Sequence, residues 1–291
     1  MGRNLALHAI ALLCAGCASA PLAVAPPPAP EPVAAAPSAS TDDAAFSGDF
    51  DSLVDRTDHQ LELSEGQPVD IDNPYGDVRL RFGGYQHVLE VHGVAQRPDR
   101  SRAAFVTTPV ATDADVRLHP RLADGSTPVP GERVDLTVFV PLGHAVRVRT
   151  AAGLIESRGS KSDLQLDSAG GDISVRGNAG RLEARTTTGQ IEVAFEDAAA
   201  GSRQRLETTT GTIIAAFADS NNLALAVETS APIATEYSLS IERLIGAEPN
   251  KRARLAVGQP AAELEIHSKR GEVRLLRRAA FTPVVAASAR P

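Results

Sequence analysis

Apolar and polar residues alternate along much of this chain in short runs, a pattern that predicts β-strands. Between Val134 and Phe217 the runs belong to a repeat: an alternating segment, a hydroxyl residue, a glycine three positions later and an isoleucine two positions after the glycine. The glycines of these four copies, 18, 18 and 22 residues apart, are Gly153, Gly171, Gly189 and Gly211. A fixed period of about 20 residues indicates a repeat architecture.

Three further copies extend the pattern in both directions. Gly76 closes an early copy, with Asn73 in the hydroxyl position; Gly271 closes a late one; residues 225–232 form a degenerate copy with proline in place of glycine. The hydroxyl positions of the remaining copies hold Thr150, Ser168, Thr186, Thr208, Thr229 and Ser268. We expect each glycine to turn a corner, most simply with a positive φ, and each hydroxyl to bond a nearby backbone group.

The outward-facing charges favour copies that stack on one another. In four successive copies the residue before the hydroxyl position is Arg149, Asp167, Arg185 and Glu207, and the neighbouring column is Arg147, Gln165, Glu183 and Arg205. Rungs stacked in register about 4.8 Å apart would place opposite charges side by side. We therefore predict an all-β fold, a right-handed β-solenoid or β-helix-like stack of rungs of about 18–22 residues. The alternative is an antiparallel β-sandwich, which fits the turn spacing too.

Two segments interrupt the repeat. Residues 99–133 are rich in Pro, Asp and Thr, and residues 242–259 separate two copies. We expect excursions from the stack there. Because the repeat itself has the features of a scaffold, we expect functional residues in these interruptions or at the ends of the stack.

The N-terminus has the features of a lipoprotein-type signal peptide over residues 1–16. Its apolar run of 12 residues is shorter than the ~20 that span a membrane. The sequence LLCAGCAS resembles the bacterial lipobox, which implies lipidation of Cys17, although Cys14 stands where the lipobox usually carries leucine. Cleavage after Ala20 is the alternative. A lipid anchor would make the membrane a partner and the chain an exported outer membrane lipoprotein, facing the periplasm or the cell surface.

The domain organisation follows from composition. Residues 17–45 are a Pro/Ala-rich tether, 46–278 the β-strand-repeat domain and 279–291 a disordered tail. Both cysteines lie in the first 17 residues, so the repeat domain has no disulfide and no thiolate metal site. The net charge of −7 gives no basis for nucleic-acid binding.

No residue pattern indicates catalysis, a cofactor or a metal. His87 and His92 are five positions apart and would face opposite sides of a strand. Asp70, Asp72 and Asp77 surround one turn, but no calcium-loop motif accompanies them, so we interpret them as outward carboxylates. The motifs of serine nucleophiles and zinc proteases are absent from the sequence. A carbohydrate-active β-helix enzyme remains a lesser alternative.

The repeat resembles a family of bacterial envelope proteins, the β-strand-repeat putative-adhesin domain of unknown function, related to the head-GIN putative adhesins. The resemblance rests on VDLTVFVPLG (residues 134–143), on the T-x-x-G-x-I copies and on DNPYGDV (residues 72–78). It covers about residues 65–278 and implies a β-helix-like fold exposed in the cell envelope, without a catalytic activity. We expect a non-catalytic adhesin or protein-interaction scaffold for an unknown protein or surface ligand. The alternative is a periplasmic sensor or accessory factor that binds a peptide or protein.

Overall fold

The computed structural model describes residues 53–196, 200–218 and 220–278, all within one compact unit, Asp49–Pro291. In this part of the chain no helix is long and apolar enough to cross a membrane. Its strands are β1 (Leu53–Glu62), β2 (Val69–Asn73), β3 (Val78–Phe82), β4 (Val88–Arg97), β5 (Phe105–Val106), β6 (Val110–Ala111), β7 (Val116–Leu118), β8 (Arg121–Leu122), β9 (Arg133–Val140), β10 (Val146–Thr150), β11 (Ile155–Arg158), β12 (Leu164–Ser168), β13 (Ile173–Asn178), β14 (Leu182–Thr186), β15 (Ile191–Phe195), β16 (Arg203–Thr208), β17 (Ile213–Phe217), β18 (Leu223–Thr229), β19 (Ile233–Thr235), β20 (Ser240–Arg243), β21 (Lys251–Val257), β22 (Ala262–Ser268) and β23 (Val273–Arg277).

Each copy of the repeat gives one strand to each of two sheets. The strands before the glycines join an eleven-stranded sheet in the order β20-β21-β18-β22-β16-β14-β12-β10-β2-β7-β6. The strands after the glycines join a ten-stranded sheet in the order β1-β4-β9-β3-β11-β13-β15-β17-β23-β19. Neighbouring copies pair in parallel and in register, as Ile155 with Ile173 and Ile173 with Ile191. The chain therefore returns to the same side of the stack once per copy.

The first and last copies are inserted out of chain order. Strand β2 lies between β10 and β7, and β22 lies between β16 and β18. Strand β7 belongs to the segment 99–133, so part of this predicted excursion is itself a layer of the stack. The remainder of that segment includes the small antiparallel pair of β5 and β8.

Antiparallel strands close the stack at both ends. Strands β1 and β4 extend the ten-stranded sheet beyond β9. Strands β20 and β21 form a hairpin that extends the eleven-stranded sheet beyond β18. The predicted interruption 242–259 is thus the turn and second strand of this hairpin.

The core lies between the two sheets and is mostly aliphatic. In the strands of the repeat, alternate residues point inward, as period two requires. One buried column of the eleven-stranded sheet contains Ile71, Val148, Leu166, Ala184, Leu206, Ile266 and Val227. The core also contains Phe195 and Phe217, its largest fully buried side chains, and the ring of Phe217 stacks on that of Tyr237 with 4.8 Å between centroids.

The all-β prediction is confirmed, and the pairing within the repeat is parallel rather than that of an antiparallel sandwich. The right-handed coil stays a prediction, since the pairings give the order of layers and not their hand. The predicted signal peptide (1–16), lipidation at Cys17, the whole tether (17–45), the first residues of the repeat domain (46–52) and the tail (279–291) lie outside the described residues.

Candidate functional site

The repeat glycines form a tightly packed column along one corner of the stack. A Cβ added to Gly171 would lie 2.2 Å from the carbonyl oxygen of Gly153, and one on Gly189 would lie 2.0 Å from that of Gly171. The same contact between neighbouring layers recurs at Gly76, Gly153, Gly211 and Gly271. The expected positive φ is wrong, because none of these six glycines is among those in the left-handed region. Close approach of the layers, and not backbone conformation, excludes any side chain here.

The hydroxyl residues form a second column beside the glycines. Thr186 Oγ1 donates to the carbonyl of Gly171 in the preceding layer at 3.0 Å. The same oxygen accepts the N–H of Gly189 in its own layer at 3.2 Å. Comparable bonds to the glycine N–H are made by Ser168, Thr208 and Ser268. These hydroxyls satisfy buried backbone groups, so they are structural and not available to a ligand.

On the outer face of the eleven-stranded sheet, acidic residues alternate with Arg or His across the whole stack. This alternating column contains, in spatial order, His119, Asp72, Arg149, Asp167, Arg185, Glu207, His267, Glu228, Arg252 and Glu242. Several neighbours form ion pairs, with 3.3 Å between Arg185 Nε and Glu207 Oε2 and 2.8 Å between Arg252 Nε and Glu228 Oε1. The column therefore places no two like charges side by side.

The outer face of the ten-stranded sheet, by contrast, places like charges side by side. Arg81 lies directly beside Arg158, and Arg158 directly beside Arg176. We call these three residues the arginine line. Their neighbours at the two ends are Phe139 and Ala194. Side chains one strand apart in register are about 4.8 Å apart, a spacing at which like charges repel.

One glutamate partly compensates the arginine line. Glu156, with 14% of its side chain exposed, contacts the guanidinium groups of Arg81, at 3.3 Å, and of Arg158. Burial raises the pKa of this carboxyl, but the hydrogen bond and charge of Arg81 and the charge of Arg158 outweigh burial, and the net pKa is lowered. Glu156 is therefore ionised, and it fixes two guanidinium groups in place.

The outer part of the arginine line is open to solvent. The side chains of Arg158 and Arg176 are 53% and 59% exposed. The nearest carboxylate to Arg176 is that of Glu192, at 3.9 Å. A guanidinium group offers a planar fork of N–H donors that matches a carboxylate or phosphate. The arrangement can therefore bind anionic groups spaced along the stack.

The signal for this line was present in the sequence and was missed. Each arginine lies five positions after a repeat glycine, in the copies of Gly76, Gly153 and Gly171, whereas the later copies carry Ala194, Ala216 and Leu276 there. The alternating charges described from the sequence lie on the strands before the glycines, whereas the arginine line lies on the strands after them. Functional residues were expected in 99–133, in 242–259 or at the ends of the stack, and the arginine line lies in none of these places.

The residues considered as metal ligands do not converge. In the part of the chain that the structure describes, no three His, Cys, Asp or Glu residues are grouped to hold a metal ion. His92 Nδ1 lies 2.6 Å from Asp58 Oδ1 in an exposed contact between two side chains. Asp70 accepts from Arg149, and Asp77 accepts from Arg79 and from the N–H of Leu154.

A shallow groove of about 350 Å³ crosses the eleven-stranded sheet. Its charged lining residues are Asp70, Asp115, Arg147, Asp163, Arg181 and Glu183. Hydrogen bonds from Thr112 and then Arg117 lower the pKa of Asp115. A general acid at neutral pH needs the opposite shift. Asp115 therefore does not have the raised pKa that a general acid at neutral pH needs.

No protein-family model and no curated protein matches the sequence. Three solved structures are similar to the chain over most of their length. A putative cell adhesion protein from Clostridium sporogenes has 10% identity and a TM-score of 0.46, covering 77% of this chain and 100% of its own. A putative adhesin from Bacteroides fragilis has 8% identity and a TM-score of 0.38, covering 76% and 97%. One from Parabacteroides distasonis has 10% identity and a TM-score of 0.26, covering 77% and 98%.

Proposed function

We propose that this protein is a non-catalytic binding module of the bacterial cell envelope, an adhesin or interaction scaffold, and that it holds an anionic polymer along the arginine line. The observation that carries the proposal is the register of Arg81, Arg158 and Arg176. In the alternating column of the eleven-stranded sheet, none of the ten residues has a like-charge neighbour, whereas the arginine line places three arginines side by side. Departures from an otherwise consistent pattern are expected at functional sites.

The geometry favours a linear ligand with regularly repeated carboxylates. The three guanidinium groups follow the stack axis in single file, one in each layer. Arginine binds carboxylates in a bidentate manner and gains specificity from that geometry. The chain has no Trp and three Tyr residues, so stacking of neutral sugars on aromatic side chains is not supported. An acidic polysaccharide is the ligand class that fits these features.

Binding of polygalacturonate to the purified protein tests the proposal, with neutral dextran as the control polymer and polyglutamate to separate polysaccharide from peptide. The double variant Arg158→Gln/Arg176→Gln should lose at least about tenfold in affinity. The matched control Arg185→Gln/Arg205→Gln removes the same charge from the other sheet and should bind as the wild type does. Added NaCl should weaken binding, since exposed charges are screened.

Two results would contradict the proposal. The wild type could fail to bind any acidic polymer at low ionic strength. Alternatively, both double variants could weaken binding equally, which would show a dependence on net charge and not on the arginine line.

The location in the envelope is part of the proposal. Lipidation of Cys17 would anchor the repeat domain to the outer membrane through the Pro/Ala-rich tether. Incorporation of a labelled fatty acid should be lost in Cys17→Ala.

Protease treatment of intact cells should digest the domain if it functions as a surface adhesin, whereas protection would favour the alternative of a periplasmic sensor or accessory factor.

A further inference from the structure

The ten-stranded sheet ends in a long strand, β1, whose outer edge is unpaired among residues 53–278 as far as the structure describes them. All ten residues of β1 pair with β4 without a register shift. On its other side, no strand of the described residues pairs with β1. Its residues alternate between half-buried and exposed along the whole strand. A long, regular edge strand is a template for pairing with another chain.

The other sheet ends are much shorter. Strands β19, β20 and β6 have three, four and two residues, and short edges are one of the ways in which proteins prevent edge pairing. Strand β1 has ten residues and contains neither proline nor a bulge. Of the ends of the two large sheets in the described part, β1 therefore offers the most backbone for association.

The sequence of β1, LVDRTDHQLE, is complementary to itself when antiparallel. With Thr57 opposite Thr57 of a second copy, residues 53 to 61 pair without any like charges opposite each other. The facing pairs are Leu53 with Leu61, Val54 with Gln60, Asp55 with His59 and Arg56 with Asp58, each occurring twice. Opposite charges and apolar residues that face each other across strands are stabilising.

The complementarity is most extensive in this register. A twofold axis perpendicular to the sheet leaves each face of β1 on the same side of the joined sheet. In each register that this symmetry allows, one central residue lies opposite the same residue of the second copy. Centring on Arg56 places Arg56 opposite itself, and centring on Asp58 places Asp58 opposite itself. Like charges directly opposite each other are destabilising, and they would occur on the exposed face at the centre of the interface. A centre on His59 avoids this, but it aligns only residues 56–62.

We propose that two copies of this chain associate through β1, antiparallel and centred on Thr57, and join their ten-stranded sheets into one continuous sheet. Such a contact is isologous, because the same strand serves both copies. Backbone hydrogen bonds would supply affinity, and the Arg56–Asp58 pairs would set the register. The axis places both arginine lines on the same face of the joined sheet, and the two N-termini of β1 at opposite ends of the interface.

Contacts within one copy are compatible with this interface. Asp55 accepts from Arg97 at 2.8 Å and Thr57 Oγ1 lies 2.6 Å from Thr107 Oγ1, so the inward residues of β1 are already ordered. Asp58 has 75% of its side chain exposed and can contact a second partner besides His92. Pre-ordered residues lower the entropic cost of association.

A charge-swap experiment on the purified full chain tests the proposal. Sedimentation equilibrium over a concentration series should show a monomer–dimer equilibrium for the wild type. Arg56→Asp and Asp58→Arg should each weaken the dimer at least about tenfold, since each creates two like-charge pairs. The double variant Arg56→Asp/Asp58→Arg should restore the dimer, because the same two positions again carry opposite charges.

Glu62→Arg is the matched control. Residue 62 lies on the same face of the same strand, but its partner in this register is beyond β1, so dimerisation should be unchanged. Circular dichroism melts of each variant would show that the monomer remains folded. A wild type that is monomeric at its highest soluble concentration would overturn the proposal, as would a dimer that the single variants leave intact or the double variant fails to restore.

Discussion

The α-carbon of Gly171 packs against the carbonyl oxygen of Gly153, so closely that a methyl group on Gly171 would lie 2.2 Å from that oxygen and 2.6 Å from the carbonyl oxygen of Ala152. Both oxygens belong to the backbone of the neighbouring layer and cannot rotate away. The distance between parallel layers is fixed by their hydrogen bonds at about 4.8 Å. A side chain at this corner would therefore have to separate two layers.

We predict that Gly171→Ala lowers the free energy of unfolding by about 3 kcal/mol or prevents folding, because overpacking against backbone atoms cannot be relieved locally. Gly170→Ala is the matched control. A Cβ there meets Thr188 Oγ1 at 3.4 Å, an ordinary contact, and the residue does not have a positive φ. Loss of backbone freedom in the unfolded chain should make it neutral or stabilising by up to about 1 kcal/mol. Urea unfolding of both variants provides the measurement, and equal effects would contradict the packing explanation.

The hydroxyl column gives a second prediction. Thr186→Val keeps the side-chain shape but leaves the carbonyl of Gly171 and the N–H of Gly189 without their bonds to Oγ1. Buried polar groups without partners cost about 1–3 kcal/mol. The free energy of unfolding should fall by about this amount, and the unfolding midpoint should fall with it. Thr187→Val, at the next and exposed position, should change stability by no more than about 0.5 kcal/mol. A neutral Thr186→Val would show that these bonds are dispensable.

The sequence was sufficient to predict much of this fold, for a physical reason. Each layer repeats the same local rules, so a period-two core face, a corner glycine and a corner hydroxyl are visible in every copy. The pairing of Arg149 with Asp167 and of Asp167 with Arg185 follows from the same alignment. The positions of β2 between β10 and β7 and of β22 between β16 and β18 were not predictable, because long-range pairing leaves no pattern in the local sequence.

The error about the glycines has an equally physical origin. A glycine at a corner is compatible both with a positive φ and with close packing, and one sequence does not distinguish them. The arginine line was detectable at a fixed offset from the glycines, but only if both strands of each copy are compared. Residues at the ends of the stack, such as those of β1, have no counterpart in other copies, so their pairing could not be predicted from the repeat.

A third prediction concerns Glu132, which is buried with its side chain fully covered. Its carboxylate accepts two hydrogen bonds from Arg102, at 2.6 and 2.9 Å, and one from the N–H of Val129. Arg102→Gln would leave a buried carboxylate without its cation, which is strongly destabilising. We expect a Tm loss of roughly 5 °C or more. Arg117→Gln, which breaks an exposed ion pair with Asp115, should change the Tm by no more than about 1 °C.

The same pair gives a pH dependence. The hydrogen bond from Arg102 lowers the pKa of Glu132 in the folded state. A carboxyl whose folded pKa lies below its unfolded value contributes stability that is complete above the unfolded value and is lost as the pH falls through the folded one. The free energy of unfolding, measured from neutral to acidic pH, should therefore begin to decline as the pH falls below the ordinary pKa range of a glutamate side chain. The decline should be shallower in Arg102→Gln/Glu132→Gln, and an unchanged slope would contradict this assignment.

The like charges of the arginine line should make the wild type less stable than a variant that lacks one of them. Arg176 faces Arg158 in register, and its nearest carboxylate is 3.9 Å away. Arg176→Gln should leave stability unchanged or raise it by about 0.3 kcal/mol at low ionic strength, because it removes a like-charge neighbour. Arg185→Gln should have the opposite sign, since Arg185 lies between Asp167 and Glu207. Melting curves at low and high NaCl should show both differences shrinking with salt. If Arg176→Gln destabilises the protein as much as Arg185→Gln does, the arginines of the line contribute to stability. Their side-by-side placement would then be explained by the fold and would not support ligand binding.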